Sequence, residues 1–206
     1  MKKIFKTLVA VVAFAAATTS ASAQLYVSGN FSMSHKGGEN ETTNTKKAPY
    51  NEFNIGTEIG YYFTDNMAVG ADIYFRHDKI YQDADKKYWD AENELYFNPY
   101  FRFDFVSTEK ISFGAKAEAI LGFGKKKDQD DVNGKNSTFG VAIIPVLNYK
   151  FNSNWSAGVS FGRDGYGLSW RNTVNKDKDG NKIENKSNLG VDLSLQLLTF
   201  SVVYTF

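Results

Sequence analysis

The chain has 206 residues, no cysteine, and 24 basic against 23 acidic side chains. This length predicts one domain, the near-neutral charge gives no signal for a nucleic-acid partner, and the lack of cysteine excludes disulfides and thiol chemistry. Aromatic residues make up 16% of the chain although 23% of it is charged. Such a composition fits a chain in which large apolar and polar side chains alternate.

The first 23 residues, MKKIFKTLVAVVAFAAATTSASA, have the three parts of a secretory signal peptide. Three lysines precede an apolar run at residues 8–17, and Ala21-Ser22-Ala23 matches a small-x-small cleavage site. The apolar run is too short to cross a bilayer as a helix. We therefore expect residues 1–23 to be cleaved, which removes three lysines and no acid and leaves a mature chain of net charge −2.

Five segments of the mature chain carry apolar residues at alternate positions. They lie at residues 53–63, 67–76, 95–105, 111–123 and 139–151. A period of two predicts strands with one apolar and one polar face. No odd-numbered position in these segments is charged, whereas the even-numbered positions hold Glu58, Asp72, Arg76, Arg102, Asp104, Lys116, Glu118 and Lys150. They are about as long as a tilted membrane strand needs, which is roughly 9–11 residues, so the apolar face is expected to contact lipid.

The connections between these segments alternate in length. Short polar turns at 64–66, 107–110 and 152–154 alternate with long charged segments at 36–50, 78–93, 125–137 and 172–187, which we predict as four external loops. Three short and four long connections join eight strands, and an open strand edge cannot lie in hydrocarbon. We therefore predict that residues 24–206 form an all-β, eight-stranded, antiparallel, up-and-down transmembrane β-barrel.

Four positions depart from regular alternation. Pro99 and Pro145 fall inside predicted strands, where each removes a hydrogen-bond donor from the ladder, so we expect a bulge or distortion at both. The alternation also changes phase near Arg163–Gly165 and near Leu197, which suggests a bulge in the seventh and in the eighth strand.

The chain ends in LTFSVVYTF, with apolar side chains on alternate residues from Leu198 to Phe206. As the eighth strand of a closed barrel, this segment must pair with the first strand, around residues 25–33. Its apolar stripe then faces lipid, and the alternate residues face the lumen.

The stretches GYYFTDNMAVG, NPYFRF and VVYTF resemble the small outer-membrane β-barrel proteins of the OmpA/OmpX type, in particular the barrel-only versions seen in Bacteroidetes. The resemblance covers the mature chain and carries no catalytic residues. It implies a location in the bacterial outer membrane, no cofactor and no shared reaction. It also implies that the terminal aromatic, Phe206, is the signal read by the outer-membrane insertion machinery.

The inward-facing charges are the candidate site. In a hairpin centred on Asp65, Glu58 and Asp72 lie opposite one another in a lumen that eight strands make just wide enough for side chains to fill. Charges in so narrow a space must be paired. We predict a structural ion-pair cluster of Glu58, Asp72, Arg102 and Lys116, with Arg76, Asp104 and Glu118 nearby. The alternative is a narrow aqueous pore lined by separately solvated groups.

Two other signals are weaker. His35 and His77 have Ser34 and Asp78 as neighbours, but adjacent strand residues point to opposite faces, so a lipid A-modifying hydrolase is a second alternative only. The sequence DKDGNKIE at 177–184 has acidic residues but lacks the glycine and glutamate that an EF-hand spacing requires. We predict no metal site and no catalytic residue.

The sequence thus predicts a non-enzymatic outer-membrane barrel with a plugged lumen. Its charged loops would serve adhesion, surface interaction or envelope integrity. The expected partners are outer-membrane lipids and lipopolysaccharide, the insertion machinery, and a host or cell-surface ligand bound through the loops; no nucleic acid is expected.

Overall fold

The computed structural model describes residues 24–40, 45–81, 89–127, 132–161, 167–192 and 198–206, which form ten β-strands. The strands are β1 Gln24–Asn40, β2 Thr45–Tyr62, β3 Met67–Tyr81, β4 Trp89–Ser107, β5 Ile111–Lys127, β6 Val132–Lys150, β7 Trp155–Phe161, β8 Gly167–Asp177, β9 Lys182–Asp192 and β10 Leu198–Thr205. Residues 1–23, which carry the predicted signal peptide, lie outside the described part of the chain.

The ten strands form one closed barrel of eight spanning segments. Strands β1 to β6 pair antiparallel in succession. Strand β6 then pairs with both β7 and β8, and these pair with β10 and β9, so β7–β8 is the seventh spanning segment and β9–β10 the eighth. Strand β10 closes the barrel on β1, from Tyr26↔Thr205 to Phe31↔Phe200. The predicted eight-stranded antiparallel barrel is confirmed.

Alternation places the two faces of each strand in different surroundings. Among the described side chains of β1 to β6, the even-numbered ones point into the lumen up to a register shift between Asp104 and Val106 in β4. Tyr26, Tyr74 and Tyr96 are almost fully buried there. The odd-numbered ones point outward, and large apolar residues such as Ile55 and Leu95 are more than half exposed. An exposed apolar surface of this extent matches hydrocarbon rather than water. We call it the apolar belt.

The two ends of the barrel differ. One end, which we call the short-turn end, carries the connections at 63–66, 108–110 and 151–154. Exposed aromatic rings cluster there, for example Trp155 against Tyr204 and Tyr204 against Phe206, with ring centroids 4.9 Å apart in both pairs. The other end, the hairpin end, carries the connections between β1 and β2, β3 and β4, β5 and β6, and β8 and β9. Since short turns face the periplasm in barrels of this kind, the hairpin end faces outward from the cell.

The four long segments predicted as loops are largely strand, which corrects that prediction. Strand β1 continues to Asn40 and β2 begins at Thr45, and the other three connections are shortened in the same way. At about 3.3 Å per residue, the 19 residues of β4 extend about 60 Å, far more than hydrocarbon requires even for a tilted strand. Alternation did not predict these extensions, because above the membrane both faces of a strand are polar.

Both prolines lie where a ladder is interrupted. The β4–β5 ladder skips Pro99 without any change of register, so the disturbance there is a gap and no bulge. Pro145 lies where β6 changes partner, because Ile143 pairs with β8 and Val146 pairs with β7. A residue without an N–H fits a position where no partner accepts it. The phase shifts expected near Arg163–Gly165 and Leu197 fall outside the described residues.

The last residue is tied into the barrel. The Phe206 N–H donates to the carbonyl of Leu25 at 2.9 Å, and the Thr205 N–H donates to the carbonyl of Asn154 at 2.8 Å. The Phe206 ring itself is exposed on the outward face. Within the described residues, no helix is long and apolar enough to cross a membrane.

Candidate functional site

The lumen is filled by large tyrosines because glycines lie beside them. Gly60 and Gly70 are cross-strand partners, and a methyl group on either would lie 2.3–2.5 Å from ring or hydroxyl atoms of Tyr26 or Tyr100. The two tyrosine hydroxyls are 2.5 Å apart, and Tyr26 also donates to Glu58 at 3.1 Å. The glycines on β2 and β3 therefore make space for the tyrosines on the neighbouring strands β1 and β4.

The middle of the lumen holds a set of ionised groups that we call the central cluster: Glu58, Asp72, Arg102, Asp104, Lys116 and Glu118. Lys116 is shared by two carboxylates, with Nζ 3.2 Å from Oε2 of Glu58 and 3.4 Å from Oε1 of Glu118. All three side chains are less than one-tenth exposed. Lys116 also lies over the Tyr100 ring, 4.9 Å from its centroid. A buried ammonium is thus surrounded by two anions and an aromatic face.

Arg102 and Asp104 form a second pair in the central cluster, one step nearer the short-turn end. Nε and Nη2 of Arg102 lie 2.8 and 3.2 Å from the two carboxylate oxygens of Asp104. With its amide oxygen turned toward Arg102, Asn148 accepts from both terminal nitrogens, at 2.7 and 3.0 Å. Tyr62 donates to Asp104 at 2.9 Å. Both members of the pair therefore have further hydrogen-bond partners, which a buried pair needs.

Asp72 lies directly opposite Glu58 across the β2–β3 ladder, as the hairpin centred on Asp65 predicted. Its carboxylate accepts a hydrogen bond from Nδ2 of Asn30 at 3.3 Å. Glu58 turns instead toward Lys116 and Tyr26. The two facing carboxylates are thus bound to different donors.

An apolar layer separates the central cluster from the hairpin end. We call it the tyrosine layer, and it consists of Tyr74, Tyr96, Ile120, Ala142 and Ile144. The rings of Tyr74 and Tyr96 are stacked with centroids 4.7 Å apart and planes 7° from parallel. Every member is at most 4% exposed, so the layer is a buried apolar cluster contributed by β3 to β6.

Arg76 belongs to a separate group beyond the tyrosine layer, which we call the outer cluster: Glu52, Arg76, Asp78 and Glu94. Nη2 of Arg76 lies 2.6 Å from Asp78 and 3.8 Å from Glu52, and its Nε lies 3.8 Å from Glu94. Tyr50 donates to Glu52 at 2.7 Å. The expectation that Arg76 lies near the central cluster is therefore wrong, because Tyr74 intervenes between it and Asp72 on β3.

The three carboxylates of the outer cluster were missed in the sequence. Glu52, Asp78 and Glu94 all occupy even-numbered positions on β2, β3 and β4, which is the inward phase. Continuing the alternation one or two residues beyond each apolar segment would have found them. Asp78 fell in a predicted loop, and Glu52 and Glu94 fell between a predicted loop and an apolar segment.

A cavity of about 440 Å³ opens at the short-turn end. Arg102 and Asn148 line it, and they also line a second cavity of about 20 Å³ deeper in the barrel, which reaches Glu58 and Lys116. The short-turn end is thus a polar vestibule that leads to the central cluster.

The histidines lie on the outward face, each beside an asparagine. Nδ1 of His35 is 2.6 Å from Oδ1 of Asn51, and Nδ1 of His77 is 2.9 Å from Oδ1 of Asn93. Each of these pairs joins directly opposed residues of neighbouring strands. Within the described residues, no group of three histidine, cysteine, aspartate or glutamate side chains is placed to hold a metal ion.

The DKDGNKIE segment forms the turn of the β8–β9 hairpin. Oδ1 and Oδ2 of Asp177 accept from the backbone N–H and the side-chain amide of Asn181, at 2.8 and 3.0 Å. The side-chain hydrogen bond from Asn181, followed by the backbone one, lowers the pKa of the Asp177 carboxyl. Gly180 adopts a φ of 91°, which only glycine adopts readily. The carboxylate is therefore engaged within the turn.

The outer membrane protein beta-barrel domain family matches residues 7–206. No curated protein matches the chain. Neisserial surface protein A is 9% identical, covering 88% of this chain and 94% of that chain, with a TM-score of 0.46. Ail, the attachment invasion locus protein of Yersinia pestis, is 13% identical, covering 90% and 99%, with a TM-score of 0.43.

A third similar structure is the N-terminal β-barrel domain of OprF from Pseudomonas aeruginosa, which is 13% identical and covers 87% of this chain and 97% of that chain, with a TM-score of 0.35. The family match spans nearly the whole sequence. Membership places the barrel in a bacterial outer membrane. The chain belongs to the outer membrane protein β-barrel domain family.

Proposed function

We propose that this protein is a non-enzymatic barrel whose closed lumen supports four outer hairpins, and that these hairpins mediate adhesion, surface interaction or envelope integrity. The observation that carries the proposal is a contrast along the barrel axis. Inside, charged groups are bound to one another and covered by the tyrosine layer. Outside, paired strands continue well past the apolar belt.

The β8–β9 hairpin illustrates this best. Every described side chain from residue 178 to residue 190 is exposed, on both faces of the strand. Ile183 and Leu189 are 66% and 76% exposed. A paired but two-sidedly exposed strand contributes little to the stability of the barrel, so its surface is free to contact a partner held in place by the rigid scaffold.

Shortening this hairpin tests the proposal. Replacing residues 174–185 by Asn-Gly keeps the Thr173↔Lys186 pair beside a two-residue turn that suits a hairpin. Cells that display the shortened barrel should bind less to immobilised collagen, laminin or mucin, or should become more permeable to a hydrophobic dye. The control is Lys178→Ser/Asp179→Ser, which keeps both the hairpin length and the net charge.

The proposal fails if shortened versions of all four hairpins, each folded and exported, leave binding and permeability at the level of the unaltered barrel. A pore is the main alternative, because the vestibule is open to the periplasmic side. Purified barrel in planar bilayers should give no steady conductance if the tyrosine layer and the central cluster close the lumen as proposed. Steady conductance would favour the pore.

A lipid A-modifying hydrolase would depend on His77. That side chain contacts Asn93, an amide that cannot activate it as a carboxylate would. Expression of the protein should leave the mass of lipid A unchanged. A mass change that His77→Ala abolishes would overturn the non-enzymatic proposal.

A further inference from the structure

Four lysines lie side by side on the outward face near the hairpin end. The strand registers pair Lys125 with Lys135, Lys135 with Lys176, and Lys176 with Lys182, across β5, β6, β8 and β9. We call these four residues the lysine row, and all four are exposed. Directly opposed residues on neighbouring strands have Cβ atoms about 4.5–5.5 Å apart. The row is thus a line of positive charge that is regular from Lys125 to Lys176 and reaches Lys182 across a register shift beside Lys176.

Such a line is unfavourable by itself, because like charges directly opposite one another destabilise a sheet. The outward neighbours that separate the row from the apolar belt are Ser137, Asn172 and Val174, none of which is an anion. Within the described residues, none of the four lysines forms an ion pair. Within the described part of the barrel wall, no anion therefore offsets the repulsion between these lysines.

Of the described acids near the row, Asp177 is bound to Asn181. Glu92 and Glu184 face inward. Lys126, one residue from Lys125, points inward and lies 3.6 Å from Glu92. Lys186, on β9, lies 3.0 Å from Glu184, which also receives a hydrogen bond from the inward Asn175. At the hairpin end, Lys126 and Lys186 on the inner face thus form ion pairs. The lysine row on the outer face forms none with the described residues.

The lysine row begins at the edge of the apolar belt. Lys125 is two residues beyond Phe123, the last large apolar side chain on the outward face of β5. Lys135 is four residues beyond Phe139, and Lys176 is six beyond Trp170. Strands tilt by about 35–45° in such barrels. Residues aligned perpendicular to the strands therefore lie at increasing heights above the hydrocarbon. The row extends from the hydrocarbon edge through the headgroup level.

We propose that the lysine row binds the phosphate groups of lipid A in the outer leaflet. The site and the ligand are complementary in charge and in depth, because phosphorylated headgroups lie where the row leaves the apolar belt. Ammonium groups are compact point charges that bind phosphate without requiring one fixed geometry. Bound phosphates would offset the repulsion between opposed lysines. The proposal does not depend on the ligand of the outer hairpins.

Binding of diphosphorylated lipid A to the refolded full barrel in zwitterionic micelles tests this inference, with native mass spectrometry as the readout. Lys125→Gln/Lys135→Gln should weaken binding by about tenfold or more, because each lysine near an anionic surface contributes appreciably to affinity. The control is Lys126→Gln/Lys186→Gln, which removes the same charge from the same end but from the inner face. It should change binding by less than about twofold.

Binding measurements with other lipids identify the ligand. Lipid A stripped of its phosphates, and phosphatidylglycerol, should bind the unaltered barrel much more weakly than diphosphorylated lipid A. A thermal shift provides a second readout: diphosphorylated lipid A should raise the melting temperature of the unaltered barrel more than that of the folded Lys125→Gln/Lys135→Gln variant. Equal losses in the two double variants, no loss in either, equal binding of phosphate-free lipid A or phosphatidylglycerol, or full displacement by millimolar inorganic phosphate would each overturn the proposal.

Discussion

The central and outer clusters use the same kinds of residues but differ in the burial of their cations. Lys116 and Arg102 in the central cluster have side chains that are 6% and 5% exposed, whereas Arg76 in the outer cluster is 17% exposed. The central cluster lies beneath the tyrosine layer, and the outer cluster lies above it. The comparison teaches that a similar ion pair should matter more for stability where its members are more deeply buried.

Removing a cation from the central cluster should have the largest effect. Lys116→Met leaves Glu58 and Glu118 without their shared ammonium, and breaking a buried pair costs about 3–5 kcal/mol. Urea unfolding of the barrel in lipid vesicles measures the loss. The double variant Lys116→Met/Glu58→Gln should lose less than the sum of its single variants, because the two side chains contact each other. Additive losses would show that the pair is not coupled.

Crowding the tyrosines beside the central cluster should have the next largest effect. Gly60→Ala places a methyl group within 2.4 Å of the Tyr26 ring, and overpacking of this kind costs about 1–3 kcal/mol. The same urea titration applies. Gly29→Ala is the matched control on the outward face, where nothing lies within 4 Å of the added carbon. A Gly29→Ala loss as large as that of Gly60→Ala would contradict the packing argument.

The equivalent change in the outer cluster should be smaller. Arg76→Met removes the cation that faces Glu52, Asp78 and Glu94, but water at the hairpin end can hydrate part of the exposed charge. We expect a loss of about 1–2 kcal/mol, between the values for exposed and buried pairs. Measured beside Lys116→Met, an equal or greater loss for Arg76→Met would remove the distinction between the clusters.

The smallest effect is expected outside the membrane, at the turn of the β8–β9 hairpin. The pKa of Asp177 is lowered by the hydrogen bonds from Asn181, and that of Glu184 chiefly by the side chain of Lys186. A lowered carboxyl pKa adds stability that is present above the unfolded pKa and is lost as the pH falls through the folded value. NMR order parameters at Gly180 should therefore decrease as the pH falls below about 4.

An Asp177→Asn variant provides the comparison for this turn. It has no carboxylate to titrate at residue 177, so most of the change in order at Gly180 should disappear. If the pH dependence persists unchanged in this variant, the hydrogen bonds of Asp177 do not hold the turn together.

Particular residues show how far the sequence could be interpreted. Alternation alone placed Glu58, Asp72 and Lys116 on the inner face, since a strand has only two faces. It did not place Arg76 correctly. Arg76 is four residues from Asp72 along the strand, and four residues of a strand span about 13 Å. The lysine row was not predicted for a different reason. Its members are far apart in sequence and become neighbours only through the registers that join β5, β6, β8 and β9.

The sequence by itself determined that this chain forms a closed membrane barrel, which side of each strand faces lipid, and where the last strand closes on the first. These follow from a two-residue period and from the cost of unpaired backbone in hydrocarbon. The tertiary structure decided which charges pair, how far the hairpins extend and which lysines meet. Those outcomes depend on register and on distances across the lumen, and neither is encoded in any single segment of the chain.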